Sequence, residues 1–364
     1  MDLNFVPRRE LSDCEWDRQD KRWRRPEIDP QILKELSARS TLNGLARVGL
    51  TFLMLFATAA ITLIVAQQSV WLAIVPYYLY CFIYGFLIAI EHEMRHKVVL
   101  ARAYDRLSDA IYFVIHALLR SGPRRERISH RIHHRYTMVK GVDPETEYPD
   151  PPTTRWLKRR LLRRLLDILF VGAILTALQS VWHLVRLAAG WQDKLMREQC
   201  AAKDVRVMRR EAIAILLIQV AVIGGALWFR RWEPILFVSL ATSVGGAMVG
   251  FYNDTQHIGL MYNTNDQRLS TRSVRCGPFV HLLFWGLDDH IEHHDFPSVP
   301  SRNLPRLRRL LNQEIPEAKS LVACWQEIFA IAREKEQHPD HVFAPPPIAS
   351  PQIGQLSQAR GEME

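Results

Sequence analysis

Cysteine is scarce and scattered in this 364-residue chain: Cys14, Cys81, Cys200, Cys276 and Cys324 lie far apart, and no C-x-x-C occurs. That spacing argues against a disulfide framework, an iron–sulfur or rubredoxin-type centre and a structural zinc module. The first 40 residues are charged and contain Pro but no apolar h-region, so no cleaved signal peptide is expected. No internal repeat is visible. The most informative absence is that of charge, which is missing from residues 50–66, 71–90, 212–229 and 234–252. The overall values, 48% hydrophobic residues and a mean hydropathy of −0.09, look soluble only because apolar and charged residues are segregated into blocks. Each uncharged run is close to the roughly 20 apolar residues with which a helix crosses about 30 Å of hydrocarbon.

These runs predict an all-α polytopic membrane protein with four transmembrane helices, over about 48–66, 71–91, 212–229 and 234–252, and a cytoplasmic helical cap. Residues 1–42 form a polar N-terminal segment, 43–310 the membrane domain, and 311–364 a polar C-terminal segment ending in a disordered Pro-rich tail. The uncharged link 67–70 is short enough to force an antiparallel hairpin of the first two spans. Residues 107–119 are too short to cross, and 161–187 reads as an interfacial amphipathic helix rather than a fifth span, because it carries Arg163, Arg164, Asp167, His183 and Arg186.

The formal net charge is +9. Arg and Lys flank the apolar spans, so the basic balance points to anionic lipid headgroups and not to nucleic acid. With four spans, the basic blocks 1–47, 95–164, 186–210 and 302–309 all fall on one side. The positive-inside rule puts that side, with both termini, in the cytoplasm. The segment Arg124 to Arg127 reads as an interfacial stretch facing phosphates.

Of 14 histidines, nine fall in four short groups: His92 and His96; His130, His133 and His134; His257; and His290, His293 and His294. Helix positions i, i+3 and i+4 share a face, so each H-x-x-H-H can aim three imidazoles at one point. Asn253, four residues before His257, is expected on the same face. The first group follows the second span and His257 follows the fourth, so all four groups can meet at one membrane face. By its letters alone, H-E-x-x-H at His92 to His96 is a zinc-protease signature with Glu93 as base. Nine imidazoles are too many for one tetrahedral zinc; they suit two ions of higher coordination number, the nitrogen-rich environment of redox iron. His116, His183 and His281 read as ordinary satisfied polar residues, and His338 and His341 as solvated.

These boxes resemble the membrane fatty acid desaturase and hydroxylase superfamily, with its H-x(3,4)-H, H-x(2,3)-H-H and H/Q-x(2,3)-H-H pattern. The run HIEHHDFPSVP from His290 is most similar to sphingolipid Δ4-desaturases, and TRSVRCGPFVHLLFW to bacterial acyl-lipid desaturases. HEMRHK and NDTQHIGL look like the corresponding stretches of alkane monooxygenases, whose central and final boxes are not reproduced. The resemblance implies an oxidoreductase with two Fe ions, O₂ as oxidant and a lipid or other apolar substrate. It implies a separate electron donor of ferredoxin, rubredoxin or cytochrome b5 type, since no H-P-G-G or cysteine cluster marks a fused one.

Carried onto matching positions, the implied ligands are His92, His96, His130, His133, His134, His257, His290, His293 and His294, with Asn253 acting through water. Carboxylates commonly orient ligating imidazoles, and Glu93, Asp254, Asp289, Glu292 and Asp295 are expected in that role by their closeness in sequence. Asp143 and Glu145 are expected only to help fold a loop. The leading expectation is desaturation of a fatty acyl or sphingoid-type chain. Hydroxylation at the same centre is the alternative, and an intramembrane zinc protease a remote one. The composition suggests a bacterial inner membrane, or an endoplasmic-reticulum membrane in a eukaryote.

Overall fold

The computed structural model describes residues 5–7, 23–311 and 314–344. It is a helical bundle, in chain order α1 Pro30–Leu36, α2 Thr41–Gln68, α3 Val70–Gly85, α4 Leu87–Arg95, α5 Asp105–Leu119, α6 Pro123–Arg135, α7 Thr154–Ile168, α8 Ala173–Ala188, α9 Lys194–Gln199, α10 Ala202–Trp228, α11 Ala241–Asn253, α12 Gln267–Ser270, α13 Pro278–Leu283, α14 His290–Asp295, α15 Leu304–Leu310 and α16 Leu321–Gln337. Two two-stranded ladders complete it: β1 Phe5–Pro7 runs antiparallel to β4 His341–Phe343, and β2 Val274–Arg275 runs parallel to β3 Lys319–Ser320.

Four helices are long and apolar enough to cross a membrane: Thr41–Gln68, Val70–Arg95, Ala202–Trp228 and Ile235–Asn253. They enclose the four runs expected from the sequence. The first two meet at a single residue, Ser69, which caps α2 and starts α3, its hydroxyl accepting from the Leu72 N–H. Only 28% of the first span and 22% of the third are buried inside the protein, so these two present their apolar faces to lipid. The second span forms the interior of the bundle and packs against the fourth. A Cβ on Gly85 would lie 2.3 Å from the Gly245 carbonyl oxygen, and one on Gly245 would lie 2.1 Å from that of Cys81. Glycine at both positions lets the two backbones touch, as small residues do between membrane helices.

The fourth span begins as a π-helical turn, Ile235–Leu240, where carbonyls leave the regular ladder. Tyrosines of α3 answer them: the Tyr77 hydroxyl donates to Leu236 O at 2.9 Å and that of Tyr80 to Phe237 O at 2.6 Å. Hydrocarbon supplies no hydrogen-bond partner, so these side chains hold the irregular turn in place.

Two expectations need correction. Residues 161–187 are not one helix, because α7 and α8 meet at a 97° bend. The break occurs where Phe170 takes a positive φ of 64° and the buried Asp167 carboxylate accepts from the Thr176 hydroxyl at 3.1 Å. Arg124 to Arg127 do not form a row aimed at phosphates. Arg124 bonds Asp204, Arg125 bonds Asp193 and Arg127 bonds Asp109, each at 2.9 Å, fastening α6 to its neighbours. The C-terminal segment is packed onto the bundle. α16 packs on α7, and Trp325 donates to Phe251 O at 3.0 Å. The Pro-rich stretch expected to be disordered lies, from residue 345 onward, outside the described residues.

Replacing Gly245 by Val drives a branched side chain into the α3 backbone. The expected cost is about 3 kcal/mol, the upper range for overpacking, read as a lowered unfolding midpoint of the protein in detergent. Gly246→Val, with open space around it, should leave the midpoint unchanged.

Candidate metal centre

The four histidine groups converge where the second and fourth spans end. His92 lies on the last turn of α4 and His96 caps it. α6 presents His130, His133 and His134, and α14 presents His290, His293 and His294. His257 differs from expectation. α11 ends at Asn253, and the chain continues through turns, so Asn253 and His257 do not share a helical face. Both nonetheless line one cavity of about 320 Å³, together with His92, His130, His133 and His290. The apolar wall of that cavity is made by Ile88, Ala89, Phe284 and Leu287.

Ring nitrogens of His92, His96, His130, His134 and His293 all lie within 4.8 Å of one another, and those of His133, His257 and His294 form a second such group. His290 adjoins the second group, its Nε2 standing 3.2 Å from the Nε2 atoms of both His257 and His294. His116 and His281 stand apart, as expected. His116 sits between Glu91 and Ser121, at 2.9 and 2.7 Å, and His281 bonds Asp288.

The outward nitrogens decide which protonation states face inward. His130 Nδ1 lies 3.1 Å from Glu145 Oε2, and His133 Nδ1 lies 2.9 Å from Asp143 Oδ2. His257 Nδ1 lies 2.9 Å from the Ser270 carbonyl oxygen, which can only accept. Thr137 donates its hydroxyl to His133 O at 2.8 Å and therefore accepts from His294 Nδ1 at 3.3 Å. These four imidazoles carry their proton on Nδ1 and turn a bare Nε2 lone pair inward. His130 Nε2 then faces His96 Nε2 at 2.9 Å and His134 Nε2 at 3.0 Å. A neutral ring has one N–H, so His290 can donate to only one of His257 and His294. Lone pairs this close repel one another unless a cation lies among them, and the donor set is that of a metal centre.

Charge on the rings is suppressed as well. Burial and the neighbouring histidines and Arg95 hold His130 well below the usual imidazole range; burial and neighbouring histidines do the same for His134, His290, His293 and His294. His257 is pushed down to about 3, by burial and then by His133. Neutral imidazole is the form that ligates metal. At His133 burial acts in the same direction, but the Asp143 carboxylate reverses it and the net shift is upward.

The carboxylates that orient the rings are not those expected. Among the described residues, none of the five proposed from sequence bonds a ring nitrogen. Glu93 accepts from the Ser301 N–H at 2.8 Å, tying the end of the second span to the segment after the last box. Asp254 is gripped by Arg160 and Arg164 through four bonds of 2.6–2.8 Å. Glu292 accepts from Ser273 Oγ at 2.9 Å and pairs with Arg308, while Asp289 lies 3.5 Å from the same guanidinium. Asp295 is buried with neither carboxylate oxygen hydrogen-bonded within the protein. Asp143 and Glu145, expected only to shape a loop, supply the contacts. Asp143 does both, since it also accepts from the N–H groups of Met138 and Glu145 and from the Thr146 hydroxyl. The available signal was Gly141, whose φ of +72° turns the chain back along α6.

A membrane-embedded helical protein with nine imidazoles gathered at the ends of its spans is the class that these features define. The family model for fatty acid desaturase matches residues 69–325, and the chain belongs to that family. It is 28% identical over 117 residues to a "Sphingolipid delta(4)-desaturase DES1-like" protein of Oryza sativa subsp. japonica, a match covering 31% of this chain and 33% of the rice protein. A protein of the same name from Arabidopsis thaliana is 28% identical over 115 residues, covering 31% and 32%. An "Acyl-lipid (9-3)-desaturase" of Physcomitrium patens is 30% identical over 82 residues, covering 21% and 16%. The chain thus aligns with a third or less of the length of these curated relatives.

Replacing Asp143 by Ala removes the acceptor from His133 Nδ1 and should weaken metal retention about 10–100-fold. The check is metal content after dialysis against a chelator. Asp289→Asn, which touches no imidazole, should retain metal at the level of the unaltered protein; equal loss in the two variants would place the orienting role elsewhere.

Proposed function

We propose that the protein is an O₂-dependent di-iron oxidoreductase that desaturates a fatty acyl or sphingoid-type lipid chain. The inward convergence of nine imidazoles, four of them anchored through Nδ1, carries the reading: nine nitrogen donors with no thiolate suit two irons. His92, His96, His130, His133, His134, His257, His290, His293 and His294 would hold the pair, with Asn253 on the same cavity wall. Two irons held there would activate O₂, with two electrons from a separate carrier, and remove hydrogen from an unactivated C–H bond. Overall, –CH₂–CH₂–, O₂, two electrons and two protons give –CH=CH– and two waters.

The chain's own residues divide the remaining work. Ile88, Ala89, Phe284 and Leu287 offer an apolar wall on which an alkyl chain is held beside the imidazoles. Asp143, Glu145, Thr137 and the Ser270 carbonyl keep each Nδ1 proton in place, so the rings stay in register while charge changes at the metal. On α6, away from the ligands, Arg131 and Arg135 are exposed, as is Lys140 in the turn that follows the helix. That face would steer an acidic electron carrier of ferredoxin, rubredoxin or cytochrome b5 type to within a helix width of the centre. The side bearing the histidines would be the cytoplasmic one, as the basic blocks direct.

The names of the relatives support desaturation over hydroxylation, which needs the same centre but leaves one oxygen atom in the product. Lipid analysis of a host expressing the chain under ¹⁸O₂ separates the two: desaturation gives products two hydrogens lighter without label. His130→Ala, His257→Ala and His293→Ala should each abolish turnover and lower iron content; retained activity in all three sinks a shared centre. Arg131→Glu with Arg135→Glu should raise the KM for the carrier by about tenfold at low salt, and the difference should shrink as salt is added.

A further inference from the structure

The pair α7–α8 is apolar enough together to cross a membrane but is bent by 97° at its middle. The chain before it, at Gly141, accepts from Lys194 Nζ at 3.2 Å, and Asp193, just after it, bonds Arg125 at 2.8 Å. The end of α8 therefore lies beside α6, and the start of α7 lies against the His257 turn, where Leu157 packs with Ile258, so both are on the side that bears the histidines. Between them Leu162, Leu165, Leu166, Leu169, Ile174 and Leu178 are exposed, Leu169 by 62% and Leu178 by 60%. On α7 the exposed face changes character along the axis: Arg155, Lys158 and Arg159 occupy its first half and the leucines most of its second, where the exposed Arg163 is held by Gln179 of α8 at 2.7 Å. No carboxylate lies on that face. The sole acidic side chain of the helix, Asp167, is buried, and Glu336 caps the helix start through Thr154. A helix that is cationic at one end and leucine-covered at the other descends from headgroups into acyl chains.

The opposite face of α7 is built against the metal centre. Leu157 packs with Ile258, the residue after His257. Arg160 and Arg164 hold Asp254, and Arg164 lies so close over α11 that a Cβ on Gly250 would stand 1.7 Å from its Nη1. Lipid on one face and the His257 turn on the other are thus separated by one helix.

We propose that α7–α8 is a re-entrant element, and that Arg155, Lys158 and Arg159 bind the phosphate of an anionic bilayer phospholipid and so fix α7 against the His257 turn. The three side chains form no ion pair among the described residues, and their charge complements that lipid. The proposal rests on the membrane reading alone and stands whether or not the redox reading holds. The full chain, reconstituted with phosphatidylcholine and phosphatidylglycerol and then washed in detergent, should retain phosphatidylglycerol preferentially. Arg155→Gln, Lys158→Gln and Arg159→Gln together should reduce that preference by roughly tenfold or more, and Arg155→Lys with Arg159→Lys should keep it. An unchanged preference in the triple variant overturns the lipid site, as does a raised KM for an acidic carrier with the lipid preference intact. In sealed vesicles of a cysteine-free background, single cysteines at Thr153 and Gln192 should react with an impermeant maleimide from the same side, and one at Leu175 from neither. Labelling of Thr153 and Gln192 from opposite sides would make the pair a fifth span and overturn the re-entrant form.

Discussion

Imidazole lone pairs set close together repel, and here the protein turns four of them into a cluster where neighbouring ring nitrogens stand as near as 2.9 Å. The force comes from outside the cluster. Each of His130, His133, His257 and His294 is held by its other nitrogen to an acceptor fixed elsewhere: Glu145, Asp143, the Ser270 carbonyl and Thr137. The acceptors fix the tautomer, the tautomer turns the lone pairs inward, and the inward lone pairs make a cation the natural centre of the structure. Four distant stretches of sequence are drawn to one point, which explains why so much short helix and turn is packed around the ends of the spans.

That convergence places buried charge in a region that cannot solvate it, and the fold responds with pairs. Glu91, at the end of the second span, is buried with Arg95 and His116 on either side. Arg95 continues to Glu145, the carboxylate that holds His130. Arg272 and Lys319 close on Glu327 of α16, fastening the C-terminal helix beneath the last box. Buried pairs of this kind add little net stability, because desolvation offsets most of the attraction. Breaking one would leave an unpaired charge beside the imidazoles, so their consequence here is registration: each pair admits one way of seating its helix.

The sequence disclosed what depends on composition and local period. Uncharged runs of about 20 residues leave few alternatives to a span, and H-x-x-H-H twice beside span ends marks ligands without knowledge of the path between them. What it hid was set by the chain's return path. Glu93, Asp289 and Glu292 are neighbours of the histidines in sequence, but adjacent helix positions point in different directions, and they meet an arginine, Ser273 or a backbone N–H instead. Asp143 and Glu145 lie ten and fifteen residues from the rings they hold, across a turn whose direction depends on Gly141. Residues 161–187 misled for a related reason. Their apolar periodicity is helical on both sides of the 97° break, whose one local mark is Gly172, where a Cβ would stand 2.2 Å from Asp167 Oδ1.

The location of the cluster follows from what the proposed reaction consumes. An alkyl chain arrives only through hydrocarbon, whereas electrons and protons arrive only from the aqueous side. A centre in the middle of the bilayer would be reached by the first and not by the others, and one in a soluble domain by the others and not the first. Histidines on the last turns of the spans sit at the one depth open to both. The cavity shows both environments at once: Ile88, Ala89, Phe284 and Leu287 form its apolar wall, while Arg95, Glu126 and Glu145 line its polar side. The close Gly85–Gly245 contact, the tyrosines that hold the π-helical turn and the arginine grip on Asp254 serve that placement, since each fixes the height at which a span ends. A shift of one residue along either span would rotate its histidine by about 100° and lift it by about 1.5 Å, enough to aim the imidazole away from the others.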